Sequence, residues 1–407
     1  MRSASWEGLA QGVGEGTRGK MDQKDDRDKA ISRRDMLRTL ALGGLGVGAA
    51  GLASRGLRGA AGAVSVPSGW KEAMFYKRLD GLKIKCQICP KNCVVGEGER
   101  GFCGNKENRG GKYYTLVYGQ AAALNIDPIE KKPLYHFLPA SRAFSIGTAG
   151  CNMDCKDCQN WEISQVRPEQ IRQPVSLPPK TIVSKAPQYG ATVIAYTYNE
   201  PVVFYEYMHD TAKLARQHGL RSVMISNGYI NREPMLELAP YLDAVKVDLK
   251  GFTDEFYRKY CLGTVEPVKE TIKRVKALGK WLEIVYLVVP TLNDDLDMIG
   301  EMAAWLKRAV GAEVPLHFSR FRPQYRLKKL PPTPVSTLEQ CRAVARGQGL
   351  KYVYIGNVQP GHSAEDTYCA SCGKVVIGRY GYQILERHVK PNGACEFCGN
   401  KIPGVWS

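Results

Sequence analysis

No segment of this 407-residue chain is continuously apolar over the roughly 20 residues that a membrane-spanning helix needs. The nearest approach, Thr39 to Ala53, is broken by Gly43, Gly44, Gly46, Gly48 and Gly51, so no transmembrane anchor is predicted. There is no arginine-rich tract and no nucleic-acid-binding motif. The formal charge of +17 is the only feature that would draw nucleic acid, and it would equally draw anionic lipid or an acidic protein. A phosphate loop is excluded as well. Gly14 to Lys20 has the glycine and lysine spacing, but Met21 stands where Ser or Thr is required and no strand precedes it. The evenly stapled cysteines of a small secreted domain are also missing.

Cysteine itself is plentiful. Eleven of the thirteen fall in three tight groups, at 86–103, 151–158 and 369–398, leaving Cys261 and Cys341 alone. Such spacing suits metal better than disulfides. From about residue 142, short Val-, Ile- and Tyr-rich runs alternate with helical stretches. Candidate strands are 143–147, 192–197, 222–226, 244–248, 282–289, 314–319 and 352–355, apolar on both faces as buried parallel strands are. Repeated βα units imply a parallel α/β sheet, here a partial (β/α)6-type TIM barrel, with chemistry at the carboxyl ends of its strands.

The polar motifs fall at those ends. After the first strand, Cys151-x3-Cys155-x2-Cys158 follows Gly147-Thr148-Ala149-Gly150. A [4Fe–4S] cubane normally takes four thiolates, so three leave one iron open. S-adenosylmethionine (SAM) can chelate that iron and be cleaved by one electron to a 5′-deoxyadenosyl radical. This motif resembles the radical SAM superfamily. The resemblance implies SAM contacts at later strand ends: Asn199 and Glu200 in Tyr198-Asn199-Glu200-Pro201, Asn227 in Ser226-Asn227-Gly228, Asp248 and Lys250 in Asp248-Leu249-Lys250, and His317. Where the superfamily often has Gly-Gly-Glu-Pro, this chain has Tyr198 and Asn199 for the glycines.

Two further groups flank this core. Cys86, Cys89, Cys93 and Cys103 offer four ligands, compatible with zinc or a second iron–sulfur cluster, in a structural or electron-relay role. Cys369, Cys372, Cys395 and Cys398 form two knuckles around short strands and read as a zinc ribbon. Longer stretches, Asp127 to Phe137, Cys158 to Gln165 and Ile402 to Ser407, resemble the radical SAM component of the AmmeMemoRadiSam system, related to pyruvate formate-lyase activating enzymes. That resemblance implies hydrogen abstraction from a partner protein, fed by a low-potential electron donor. RNA modification and a non-catalytic electron-transfer protein are the alternative functions.

Ahead of these lies Ser32-Arg33-Arg34-Asp35-Met36-Leu37-Arg38, the weakly apolar stretch and the small residues Ala61-Gly62-Ala63. This resembles a twin-arginine (Tat) leader, which would export the folded protein with its cluster already inserted. The alternative location is cytoplasmic, where SAM and low-potential electrons are found. The expected organisation is a leader at 1–63, a Cys-rich segment at 64–140, a core at 141–360 and a ribbon at 361–407.

Overall fold

Runs such as Val193–Tyr196, buried at every residue, can only sit in a sheet covered on both faces. The computed structural model describes Pro67 and residues 69–407, and the leader expectation lies outside the described residues. Eight strands form the main sheet: β1 (Ala123–Pro128), β2 (Arg142–Gly147), β3 (Val193–Tyr196), β4 (Arg221–Ser226), β5 (Ala244–Asp248), β6 (Trp281–Val288), β7 (Leu316–Arg320) and β8 (Val353–Gly356). They lie side by side in chain order, β2 to β8 parallel. Among the described residues no ladder joins the two edge strands. Helices Tyr205–Gln217, Glu266–Ala277, Leu296–Val310 and Val335–Gly347 connect the parallel strands.

The sequence predicted the seven parallel strands but not β1. It pairs antiparallel with β2, so the sheet reaches back across the boundary drawn at residue 141. Its pattern, Ala-Leu-Asn-Ile-Asp-Pro, alternates polar and apolar residues as an edge strand does, unlike the continuous runs beside it.

The base of the sheet is plugged by chain from both ends. Ile129, Leu134 and Phe137 pack against Ala143, Val193, Ala195, Val223, Ile225 and Ala244. Leu138 N donates to Val405 O at 2.7 Å and Val405 N to His136 O at 2.8 Å. Two of the stretches behind the AmmeMemoRadiSam resemblance are therefore each other's neighbours. The C-terminal strands Thr367–Tyr368, Val375–Tyr380 and Gln383–Arg387 form a small antiparallel sheet. Its core residues Val376, Ile377 and Trp406 share a cluster with Tyr135 of the plug and Tyr352 and Tyr354 of the last strand region.

One buried acid in this plug makes stability pH-dependent. Burial pushes the Glu130 carboxyl up to about 7. Its Oε1 accepts from Ala140 N at 2.9 Å, while Oε2 has no partner. The unfolded chain releases this proton near 4.5 and the folded chain near 7. The folded state therefore binds more protons between those values, and stability falls as pH rises through that window. The expected difference between wild type and Glu130→Gln, compared at pH 5 and pH 8 by denaturant titration, is about 3 kcal/mol in favour of the variant at the higher pH.

Candidate active site

β2 ends at Gly147, and the chain turns through Thr148, Ala149 and Gly150 into the three-cysteine loop. The side chain of Asn199, at the end of β3, holds this turn. Its Oδ1 accepts from Thr148 N at 3.0 Å, and its Nδ2 donates to Ala149 O at 3.0 Å and Gly150 O at 2.8 Å. Further along, Asp154 N donates to Cys261 O at 3.1 Å and Lys156 N to Tyr260 O at 2.9 Å.

Gly150 is required by both conformation and space. Its φ is +81°, and a Cβ there would lie 2.5 Å from the Cys103 carbonyl oxygen and 2.6 Å from Asn105 Oδ1. Gly150→Ala should destabilise the fold by at least about 1–2 kcal/mol from the backbone term alone. It should also reduce bound iron after anaerobic reconstitution, read by urea titration and iron assay.

Without a metal the three thiols stay protonated. Burial raises Cys151 well above the ordinary thiol range and takes Cys158 up to about 11. Cys155 is raised first by a hydrogen bond with the Cys261 thiol and then by burial. Protonated thiols in such a place become ligands only when a metal replaces their protons. Donors already face the sulfur of Cys151: Met153 N at 3.4 Å and Asn227 Nδ2 at 3.9 Å. The thiol set, its burial and these donors fit an iron–sulfur cluster.

The residues expected around SAM fall into three groups. Glu200 and Asn227 are joined to the cysteine loop. Glu200 Oε1 accepts from Val202 N (3.0 Å) and Ser226 Oγ (2.7 Å), and Oε2 from Asn227 N (2.8 Å). Burial takes the Glu200 carboxyl up to about 7. Asn227 Nδ2 also donates to Asn152 Oδ1 at 2.8 Å, and Asn152 donates to Tyr229 O at 2.8 Å. Asp248 sits between Lys246 and Lys250, which hold its carboxyl below the ordinary range despite its burial. Lys250 is held charged first by Asp248 and then by Asp157 in the loop, despite burial. His317 is different: its Nε2 lies 2.7 Å from Glu283 Oε2, and its ring stacks on Tyr354. Glu283 also accepts from Tyr135 N and His136 N, so His317 is tied to the plug rather than to the cysteine loop.

Tyr198 occupies a glycine-like conformation, with φ +71°. Its hydroxyl donates to Asp127 Oδ2 at 2.6 Å and its carbonyl accepts from Asn160 Nδ2 at 2.7 Å. These anchors offset the cost of a side chain in the left-handed region.

At the C-terminal module the four sulfurs converge. Cys369 Sγ lies 3.7 Å from Cys398 Sγ, and Cys372 Sγ 3.9 Å from Cys395 Sγ. All four lie within 4.8 Å of one another, a group that could bind a metal.

A parallel α/β sheet carrying a three-cysteine loop at the end of its first parallel strand defines a class of iron–sulfur enzymes, and residues 145–305 match the Radical SAM superfamily. The chain belongs to the radical SAM superfamily and is an enzyme of that type, which implies a [4Fe–4S] cluster and SAM. An uncharacterized protein of Methanocaldococcus jannaschii is 48% identical over 334 residues, covering 82% of this chain and 98% of its own. The pyruvate formate-lyase 1-activating enzyme of Escherichia coli K12 is 23% identical over 223 residues, 50% of this chain and 89% of that enzyme. A domain of the pyruvate formate-lyase-activating enzyme from Bacteroides vulgatus aligns at a TM-score of 0.36 and 18% identity, over 40% of this chain and 98% of that one.

Proposed function

We propose that Cys151, Cys155 and Cys158 hold the SAM-cleaving [4Fe–4S] cluster, and that the enzyme abstracts hydrogen from a partner protein. The observation that carries this reading is the loop itself: one buried and two half-buried thiols beyond β2, with Asn199, Glu200 and Asn227 converging on it from the next two strand ends. When bound, the cluster and SAM supply reductive carbon–sulfur cleavage to a 5′-deoxyadenosyl radical.

The chain's own groups do the positioning. Asn199 fixes the turn before Cys151 through four hydrogen bonds. Glu200 braces the Ser226-Asn227 turn so that the Asn227 amide faces Cys151. Lys250 places positive charge beside the loop, where a thiolate-ligated cluster would concentrate negative charge. The open sheet with its strands in sequential order supports a partial barrel, whose plugged base keeps water from that end of the interior.

The activating-enzyme reading for the substrate rests on relatives of that name, among them the (2S)-3-sulfopropanediol dehydratase activating enzyme of Klebsiella oxytoca, 21% identical over 115 residues. It also rests on the AmmeMemoRadiSam resemblance, with a partner protein of that system as the hydrogen donor and a low-potential protein as the electron source. Zinc is the reading favoured for the C-terminal group, with rubredoxin-like iron the alternative: two of its sulfur separations, 3.7 and 3.9 Å, are near the edge, about 3.8 Å, of a tetrahedron with Zn–S near 2.3 Å. Anaerobically reconstituted protein, given SAM and dithionite, should form 5′-deoxyadenosine and methionine. The absence of both from protein with a full iron complement would overturn the reading.

A further inference from the structure

We infer that Cys86, Cys89, Cys93 and Cys103 bind a second iron–sulfur cluster, placed to pass electrons to the cluster of the three-cysteine loop. The four cysteines line one cavity, whose free volume in the absence of a ligand is about 20 Å³. Phe102 closes part of it, and Phe102 N donates to Cys93 Sγ at 3.3 Å. Its remaining wall includes Asn152, the residue next to Cys151.

Two geometric facts separate this site from the ribbon. The ribbon sulfurs are drawn to tetrahedral contact, all within 4.8 Å, and no other such group of three or more ligands occurs among the described residues. The four N-terminal cysteines instead line a shared cavity without converging in that way. A single zinc ion, with Zn–S near 2.3 Å, draws its ligands together, whereas a cluster of irons and bridging sulfides holds its thiolates further apart. Four cysteines complete the ligand set of such a cluster, so no iron is left open and its natural work is electron transfer.

The site is also built against the active loop. The Asn105 side-chain amide donates to Ala149 O. The Cys103 carbonyl lies where a Cβ of Gly150 would fall, and Asn231 N, beyond β4, donates to Ile88 O at 2.9 Å. Between the cavity and Cys151 stands Asn152, bonded to Asn227.

The electron balance is simple. A one-electron donor of ferredoxin or flavodoxin type reduces this second cluster by one electron. That electron then reaches the loop's site and is consumed there as the S–C5′ bond of one SAM breaks, giving methionine and one 5′-deoxyadenosyl radical, and no proton moves. The relay, though not the cluster, rests on the reading of the three-cysteine loop given above.

The test is metal and sulfide analysis with electron paramagnetic resonance on the full chain, reconstituted anaerobically with ferrous iron and sulfide. A Cys151→Ala/Cys155→Ala/Cys158→Ala variant should keep about four irons and about four sulfides and show a reduced-cluster signal. Adding Cys89→Ala and Cys103→Ala should remove both, while the ribbon zinc remains as a folding control. A second zinc with no sulfide in the triple variant would overturn the proposal. Should that variant not fold, wild type decides: about eight irons and one zinc support the proposal, and about four irons and two zincs overturn it. In reduced wild type the two signals should broaden each other, and a plain sum of unbroadened signals would overturn the relay. A triple variant that keeps its cluster while wild type holds no more iron than it does would sink the loop reading and leave the second cluster standing.

Discussion

Cys155→Ala should lower 5′-deoxyadenosine formation from SAM and dithionite to background, a loss of at least about a thousandfold. At about 1.36 kcal/mol per decade that is more than about 4 kcal/mol. Two cysteines on one loop cannot carry a cubane that normally needs four thiolates and already lacks one. The residue is 8% exposed, so solvent offers little substitute for the lost sulfur. Two controls give the result its meaning. Cys341→Ala, at a buried cysteine of helix Val335–Gly347, should leave turnover unchanged. Cys261→Ala removes the thiol hydrogen-bonded to Cys155 but no member of the motif, and should keep the iron and the product. Loss of iron in Cys261→Ala would make Cys261 a ligand and contradict the open-iron reading. Product at the wild-type rate from Cys155→Ala would exclude the loop as the catalytic centre.

The second large effect concerns the ribbon. Cys395→Ser, or chelation, should unfold the C-terminal module and lower the melting temperature of the whole chain. Small modules of this kind owe their fold to metal, with apparent binding free energies of about 10–16 kcal/mol in isolated zinc-finger peptides. Here the module does not melt alone. Arg379 donates to Tyr135 O at 2.9 Å, His136 bonds Pro403 O at 2.6 Å, and Trp406 is buried in the shared cluster. Losing even about 5 kcal/mol should lower the melting temperature by roughly 10–20 °C, at about 2–4 °C per kcal/mol. Calorimetry before and after chelation, with Trp fluorescence reporting the tail, checks this. An unchanged melting temperature after measured metal loss would show that the module stands without metal.

The parallel strands were legible in the sequence because continuous apolar runs such as Val193–Tyr196 have few other places to go. The convergence of Cys369, Cys372, Cys395 and Cys398 was legible from their paired spacing. β1 was not, since a half-polar run of six residues carries no signal beyond alternation. The contact of Cys261 with Cys155 and the role of Asn152 were equally hidden, because both arise from distant segments meeting in space. His317 shows the converse. Its place at a strand end made it a candidate, but the acid that engages it, Glu283, lies on the neighbouring strand and no motif announces it. Tyr198 was a visible departure from the superfamily pattern. Its left-handed backbone conformation was not visible there.

The plugged base has a consequence for the order of synthesis. The last strand of the main sheet ends at Gly356, yet Val405, which bonds the plug, is made forty-nine residues later. At about 5–20 residues per second, a growing chain holds all eight strands for roughly 2–10 s before the seal can form. During that interval Ala143, Val193 and Ala244 have Ile129, Leu134 and Phe137 as neighbours, but the cluster lacks Val405. A chaperone that shields apolar surface near the ribosome would therefore find its substrate late in translation, after the sheet is complete and before the tail arrives.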